Sequence, residues 1–243
     1  MTVKQNRWSV SVIIPVFNCE AYLAEAIDSV LSQTWPPGEI IVVDDGSTDG
    51  SRDVARGYSD QIRYVYQENQ GIGAARNRGV DLAGGDLLAF LDADDMWLPN
   101  KLVVQMAAFE SEPDLDMVLG QVEQFVSPEL GPDARATIGD EERVLPGYVA
   151  GTVLVKRDSF LRVGPFSTDW RVGEFLDWYA KAKDAGLRDV MLPDIVTRRR
   201  IHTSNIGIRE RKSQGDYVRI LKAALDRRRQ TPNRDTAQGH PDR

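Results

Sequence analysis

The sequence predicts an α/β fold: one domain on a doubly wound, mostly parallel central sheet, with a smaller second region and an amphipathic C-terminal helix. Three observations carry this reading. Short β-branched apolar runs alternate with stretches of helical spacing up to about residue 126. The early runs end in polar clusters, and no internal repeat or linker divides the 243 residues. Strand and helix in alternation imply parallel strands joined by right-handed crossovers, with helices on both faces.

Residues 9–16 (SVSVIIPV) form the first strand, and 21–33 a helix with Leu23, Ile27, Val30 and Leu31 at helical spacing. EIIVVDD, residues 39–45, is a second buried strand, 51–58 a short helix and 62–66 a third strand. The glycine-rich NQGIGAARNRG opens a helix over 72–83, before a fourth strand at 87–91. A helix at 100–109 and a strand at 117–125 follow. Residues 127–147 hold Pro, Gly, Asp and Glu without periodicity, which predicts a surface excursion of the kind found near functional sites. Then come a strand at 152–156 and a helix at 157–163, stopped by Gly164 and Pro165. A helix at 174–185 ends at Gly186, strands lie near Val190 and over 195–201, and an amphipathic helix spans about 209–229. The tail from 231 to 243 lacks the apolar residues needed to order it. The resulting domain is residues 1–230, with parts at 9–126, 127–208 and 209–230.

The net charge of −7 hides an asymmetry. From Arg209 onward there are ten Lys and Arg against five Asp and Glu, leaving twenty basic and thirty-two acidic groups before it. An acidic body argues against a nucleic-acid groove, and an anionic ligand would need a cation to neutralise its approach. No apolar stretch approaches the roughly 18 to 20 residues that cross a bilayer, and MTVKQNRW lacks the core of a signal peptide, so a cytoplasmic location is expected. The single cysteine, Cys19, cannot form an internal disulfide and reads as a small core residue.

Ligands of open parallel sheets bind beyond the carboxyl ends of the strands. Here those ends carry Pro15, Val16, Phe17 and Asn18, then Asp44 and Asp45, then Asp92, Ala93, Asp94 and Asp95. A carboxylate at such an edge can accept the N–H of a base or a ribose hydroxyl. Three clustered carboxylates repel one another unless a cation compensates, and their oxygens suit hard divalent ions. The plainer alternatives are a turn with Asp95 capping the helix near Pro99, and a turn at DDGSTD. NQGIGAARNRG lacks GxxxxGK and follows the wrong strand for a Rossmann GxGxxG. Arg76, one turn into its helix, either reaches back to a ligand or pairs with Asp45 or Asp92.

In their order, SVIIPVFN, EIIVVDDGSTD, NQGIGAARNRG and DLLAFLDADD resemble the nucleotide-sugar domain of glycosyltransferase family 2, inverting enzymes of GT-A fold. The resemblance implies a single GT-A domain with a nucleotide-sugar half at 9–126 and an acceptor and catalytic half at 127–208. It implies that Asp45 binds uracil or another base, with Val16 and Phe17 nearby, and that Arg76 contacts the nucleotide. Pro15, Asn18, Asp44 and Ala93 complete the donor-binding set. The DxD motif falls on Asp92 and Asp94: one carboxylate meets ribose, the other a divalent cation (Mn2+ or Mg2+) bridging the diphosphate, with Asp95 sharing this work. RRRIHTSN resembles the family's late His-x-x-Asn segment, carried here by His202 and Asn205, which brings His202 to the metal or diphosphate. Arg198, Arg199 and Arg200 are candidates for a diphosphate contact, at most two of them on one strand face, and Arg200 is the one favoured. The alternative for His202 is a structural histidine.

Sugar transfer builds positive charge on the ring while the nucleoside diphosphate departs, and a carboxylate must take the proton of the attacking hydroxyl. The family carries that base in a pattern like GED followed by another acid. Here the stretch is RVGEFLDW, with Phe175 where the usual Asp would be. Glu174 and Asp177 remain, at i and i+3 on one helix face. Glu174 is favoured as base because it opens the helix, where the dipole suits an anion. Asp177 otherwise pairs with Lys181, and Trp178 is a sugar platform or a core residue. Two other classes stay open: a metal-dependent nucleotidyltransferase, and a non-catalytic nucleotide-sugar-binding protein. The acceptor is a saccharide, lipid carrier, peptide or small metabolite. The basic final helix admits packing on the body, a homodimer or a peripheral contact with anionic lipid.

Overall fold

The computed structural model describes residues 8–131, 143–203, 205 and 215–230. The strands are β1 Val10–Val16, β2 Glu39–Asp45, β3 Arg63–Gln67, β4 Leu87–Phe90, β5 Met96–Trp97, β6 Met117–Val126, β7 Arg143–Pro146, β8 Leu154–Lys156 and β9 Asp189–Ile201. The helices are α1 Leu23–Leu31, α2 Ser51–Arg56, α3 Ile72–Leu82, α4 Lys101–Ser111, α5 Arg157–Val163, α6 Glu174–Asp184 and α7 Gly215–Gln230. The strands join one sheet in the order β3-β2-β1-β4-β8-β6-β9-β5, with β7 added on β6.

The predicted α/β class is the observed one. β1 to β4 pair in parallel, and β1 is buried along its whole length because helices cover both faces. Alternate residues feed two cores. Val12, Ile14 and Val42 face α1 and α4 through Leu23, Ile27, Leu102 and Met106. Ile13, Ile41 and Phe90 face Ala75, Val80, Phe160, Phe166 and Trp178. In the second half β8 runs antiparallel to β4 and β6, while β6 and β9 pair in parallel.

Several elements differ from expectation for local reasons. The strands read near 190 and over 195–201 are one strand, β9, whose register against β6 shifts between Met191 and Ile195. Pro193 sits inside that irregularity, where its missing N–H costs no ladder bond. Short β5 and fully exposed β7 carry too little periodicity to be read from sequence. The stretch predicted to begin a strand at Thr152 starts as a 3-10 turn over Ala150–Thr152. The final helix is described from Gly215; its predicted first residues, the 132–142 part of the surface excursion and the predicted disordered tail lie outside the described residues.

Candidate active site

The carboxyl ends of β1 and β2 are stitched together before any ligand arrives. Asn18 takes a left-handed φ of 50°, donates its N–H to Ser47 Oγ at 3.0 Å and accepts Thr48 N–H on Oδ1 at 2.7 Å. Asp44, expected at the ligand edge, is instead fully buried. It accepts Ser47 N–H at 2.7 Å and the Tyr64 hydroxyl at 2.5 Å, so burial and this bond both push the Tyr64 phenol up. The first Asp of DDGSTD therefore builds the turn. Asp45 accepts Gln67 Nε2 at 2.8 Å, Gln70 N–H at 2.9 Å and Gly71 N–H at 2.8 Å. Of about four lone-pair sites on a carboxylate, one is left for a further donor. Pro15 and Val16 are buried under this edge, while Phe17 is 41% exposed and offers an open ring.

α3 is pressed against the segment before α6, and this places Arg76. A Cβ on Gly73 would lie 2.7 Å from the Ser167 carbonyl oxygen, so only glycine permits the approach. Asn77 both donates to and accepts from the Phe166 backbone at 2.9 Å. Arg76, 2% exposed, then bonds Glu174 Oε1 through Nη1 and Asp92 Oδ1 through Nη2 at 2.5 Å. Burial opposes its charge, but the two carboxylates outweigh that and hold its pKa above the ordinary value. The pairing with Asp92 is one of the two expected from sequence; that with Asp45 does not form, and Glu174 joins.

The three carboxylates after β4 do not form a cluster. Asp92 turns to Arg76, and Asp94 Oδ2 meets His202 Nε2 and Asn205 Nδ2, each at 3.0 Å. Asn205 also accepts His202 N–H at 2.6 Å and donates to the Arg200 carbonyl at 3.1 Å, closing the His-x-x-Asn turn. Asp95 is 5% exposed and accepts Arg200 N–H at 2.9 Å, which fastens the β4 end to β9. Burial, with the Asp94 and Asp92 charges, pushes its carboxyl well above the usual range. Asp95 does not cap α4, whose N-cap residue is Asn100. Among the described residues no three His, Cys, Asp or Glu side chains gather as metal ligands. Of the expected set of Asp92, Asp94, Asp95 and His202, the structure brings Asp94 and His202 together. That pair fits a divalent cation by its donors, a carboxylate and an imidazole whose buried Nδ1 has no hydrogen-bond partner.

Arg200, expected at the diphosphate, is 4% exposed and already engaged. It bonds Glu25 Oε2 at 2.6 Å, the Asp94 carbonyl at 3.2 Å and Ser127 Oγ at 3.2 Å, and lies over the Tyr22 and Phe125 rings. Its role here is to brace the DADD turn, whose Ala93 is buried. Tyr22 was not singled out by its sequence position, since a tyrosine ahead of a helix carries no signal. Its ring centroid lies 4.7 Å from that of His202, and burial together with its bond to Glu129 pushes its hydroxyl up to about 12.

Gly173, at a left-handed φ of 82°, turns the chain into α6 so that Glu174 is the first helical residue. Its carboxylate faces Arg76, while Asp177, one turn on, faces Lys181 Nζ at 2.6 Å and Arg227 Nη1 of α7 at 3.6 Å. The expectation that both acids share one reactive face is therefore corrected. Glu174 sits at the helix tip and reaches backward, whereas Asp177 is 2% exposed beneath α7. Phe175 and Trp178 are core residues; Trp178 stacks on Phe160 with centroids 4.9 Å apart and is no sugar platform.

A parallel half ending in tied carboxylates, with an acid-bearing helix facing it from a mixed second half, defines a GT-A type nucleotide-sugar fold. The chain belongs to glycosyl transferase family 2, whose profile matches residues 11–164. It is 43% identical over 119 residues to the uncharacterized glycosyltransferase RT0329 of Rickettsia typhi, covering 48% of this chain but 37% of that protein. It is 34% identical over 204 residues to glycosyltransferase AglE of Haloferax volcanii, covering 77% of this chain and 65% of AglE. Among solved structures, S. aureus TarS 1–349 in complex with UDP-GlcNAc matches with a TM-score of 0.71 at 20% identity, over 93% of this chain and 68% of that one. Mannosyltransferase PcManGT from Pyrobaculum calidifontis, in complex with GDP-Man and Mn2+, matches with a TM-score of 0.68 at 21% identity, over 90% and 65%.

Proposed function

We propose that the chain moves a sugar from a nucleoside-diphosphate sugar, expected to be UDP-linked, to an acceptor hydroxyl by direct displacement with inversion. The observation that best supports this is Arg76, which holds Asp92 at the end of β4 and Glu174 at the start of α6 at once. The strand end suited to the donor and the helix tip suited to a base therefore flank one guanidinium. Asp45 keeps one acceptor site for a base N–H, and the open Phe17 ring is placed to cover the base. Asp92 receives a ribose hydroxyl. Asp94 and His202 would hold the divalent cation, and their mixed donors favour Mn2+ over Mg2+, which prefers oxygen alone. When bound, the cation supplies Lewis-acid stabilisation of the departing diphosphate.

Glu174 takes the proton as the acceptor oxygen bonds to C1 and the C1–O bond to phosphate breaks. Arg76 uses Oε1 and leaves Oε2 to meet the hydroxyl. The assay is incubation with UDP- and GDP-sugars, with Mn2+, Mg2+ or a chelator. The expected result is nucleoside diphosphate release from a UDP-sugar with Mn2+, lost in Glu174→Gln while a thermal shift still reports donor binding. Release of pyrophosphate would make the chain a nucleotidyltransferase. Donor binding without turnover against every acceptor class would leave it a nucleotide-sugar-binding protein.

A further inference from the structure

α7 is amphipathic in the wrong sense for a helix that ends its contacts at the body. Its inward face holds Asp216, Ile220 and Ala224, and Arg227 reaches Asp177 and Asp184. Both of its leucines point out: Leu221 is 62% and Leu225 45% exposed, beside Val218 at 69%. At i, i+3 and i+7 these three form one stripe. By helical spacing Lys222 and Arg229 lie on the same side of the helix, while Arg228 turns back to Asp184 Oδ1 at 2.9 Å, so two cations edge the stripe. No helix among the described residues is long and apolar enough to cross a membrane.

We infer that the outer face of α7 docks on the surface of an anionic lipid bilayer, with Val218, Leu221 and Leu225 in the interface and Lys222 and Arg229 at the headgroups. An apolar stripe edged by cations is the pattern of a helix lying in the interface plane, and anionic headgroups complement that edge. The charge distribution points the same way. The body before Arg209 is strongly acidic and the segment after it is basic, so an anionic surface repels the body and attracts this end. A second copy of the chain fits less well. An antiparallel two-fold crossing near Leu221 sets Lys222 against its own copy, and a parallel one sets Arg229 against its own.

The test is co-sedimentation of the full chain with phosphatidylcholine vesicles, with and without added phosphatidylglycerol. Binding is expected only to the anionic vesicles and is expected to fall with salt. Leu221→Glu with Leu225→Glu, and separately Lys222→Gln with Arg229→Gln, should each weaken partitioning by roughly tenfold or more. All four positions are on the outward side, so both pairs should melt as the parent does; Leu221→Ser with Leu225→Ser is the milder pair if the first does not. Binding that these variants leave unchanged overturns the inference, as does absence of binding at low salt. So does a dimer by light scattering that Leu221→Glu splits into monomers, which assigns the face to a second copy.

Discussion

Glu174 and Asp177 lie one turn apart on α6 and are both shielded from water, yet they sit in opposite electrostatic company. Around Glu174, one guanidinium, Arg76, is shared by two carboxylates, Glu174 and Asp92. Around Asp177, one carboxylate is shared by two cations, Lys181 and Arg227. The first group carries one surplus negative charge. The second carries no surplus negative charge and holds α7 against α6. Burial alone does not mark an acid as reactive; the count of charges around it does.

The sharpest way to break this comparison is to place an acid between the two. Phe175→Asp restores the residue type the family resemblance expects, but at a position 4% exposed and packed on Trp178 and Tyr179. We expect a loss of at least about 4 kcal/mol in urea unfolding and no gain in transfer, since the change empties a packed site and buries a charge. Glu174→Gln should lower nucleoside diphosphate release by about 10^2 to 10^4 with donor affinity kept, measured by steady-state release and thermal shift. Arg76→Met leaves two acids facing each other and should cost about 3–5 kcal/mol. Adding Glu174→Gln should recover part of that loss, a coupling that a double-mutant cycle reads directly. Asp177→Asn should cost about 1–2 kcal/mol, because Lys181 and Arg227 are about a third exposed and regain water, and transfer should not change. Loss of turnover in Asp177→Asn with full turnover in Glu174→Gln would reverse the two roles.

Much of the donor half was legible because its signals are local. A continuous Val and Ile run states that a strand is buried on both faces, and the polar residue ending it states where the sheet edge lies. The pairing of Arg76 with Asp92 followed from a helix position near that edge. What stayed hidden was the direction of each polar side chain at a turn. Asp44 and Asp95 read as pocket acids with open oxygens, but Tyr64 and Arg200 N–H reach them from 20 and 105 residues away. The same distance concealed Tyr22 beside His202. Pro193 made one long strand look like two, because a proline in a periodic run is a break unless an irregular register absorbs it.

The continuous sheet has a mechanical consequence. β8 is hydrogen-bonded to β4 on one side and to β6 on the other, so the ladder runs without interruption from the parallel half into the mixed second half. Two bodies joined this way cannot rock about a hinge without breaking backbone bonds in the centre of the protein. Large relative motion is therefore left to the chain segments at the sheet edge, on the faster timescale of loops rather than of domains.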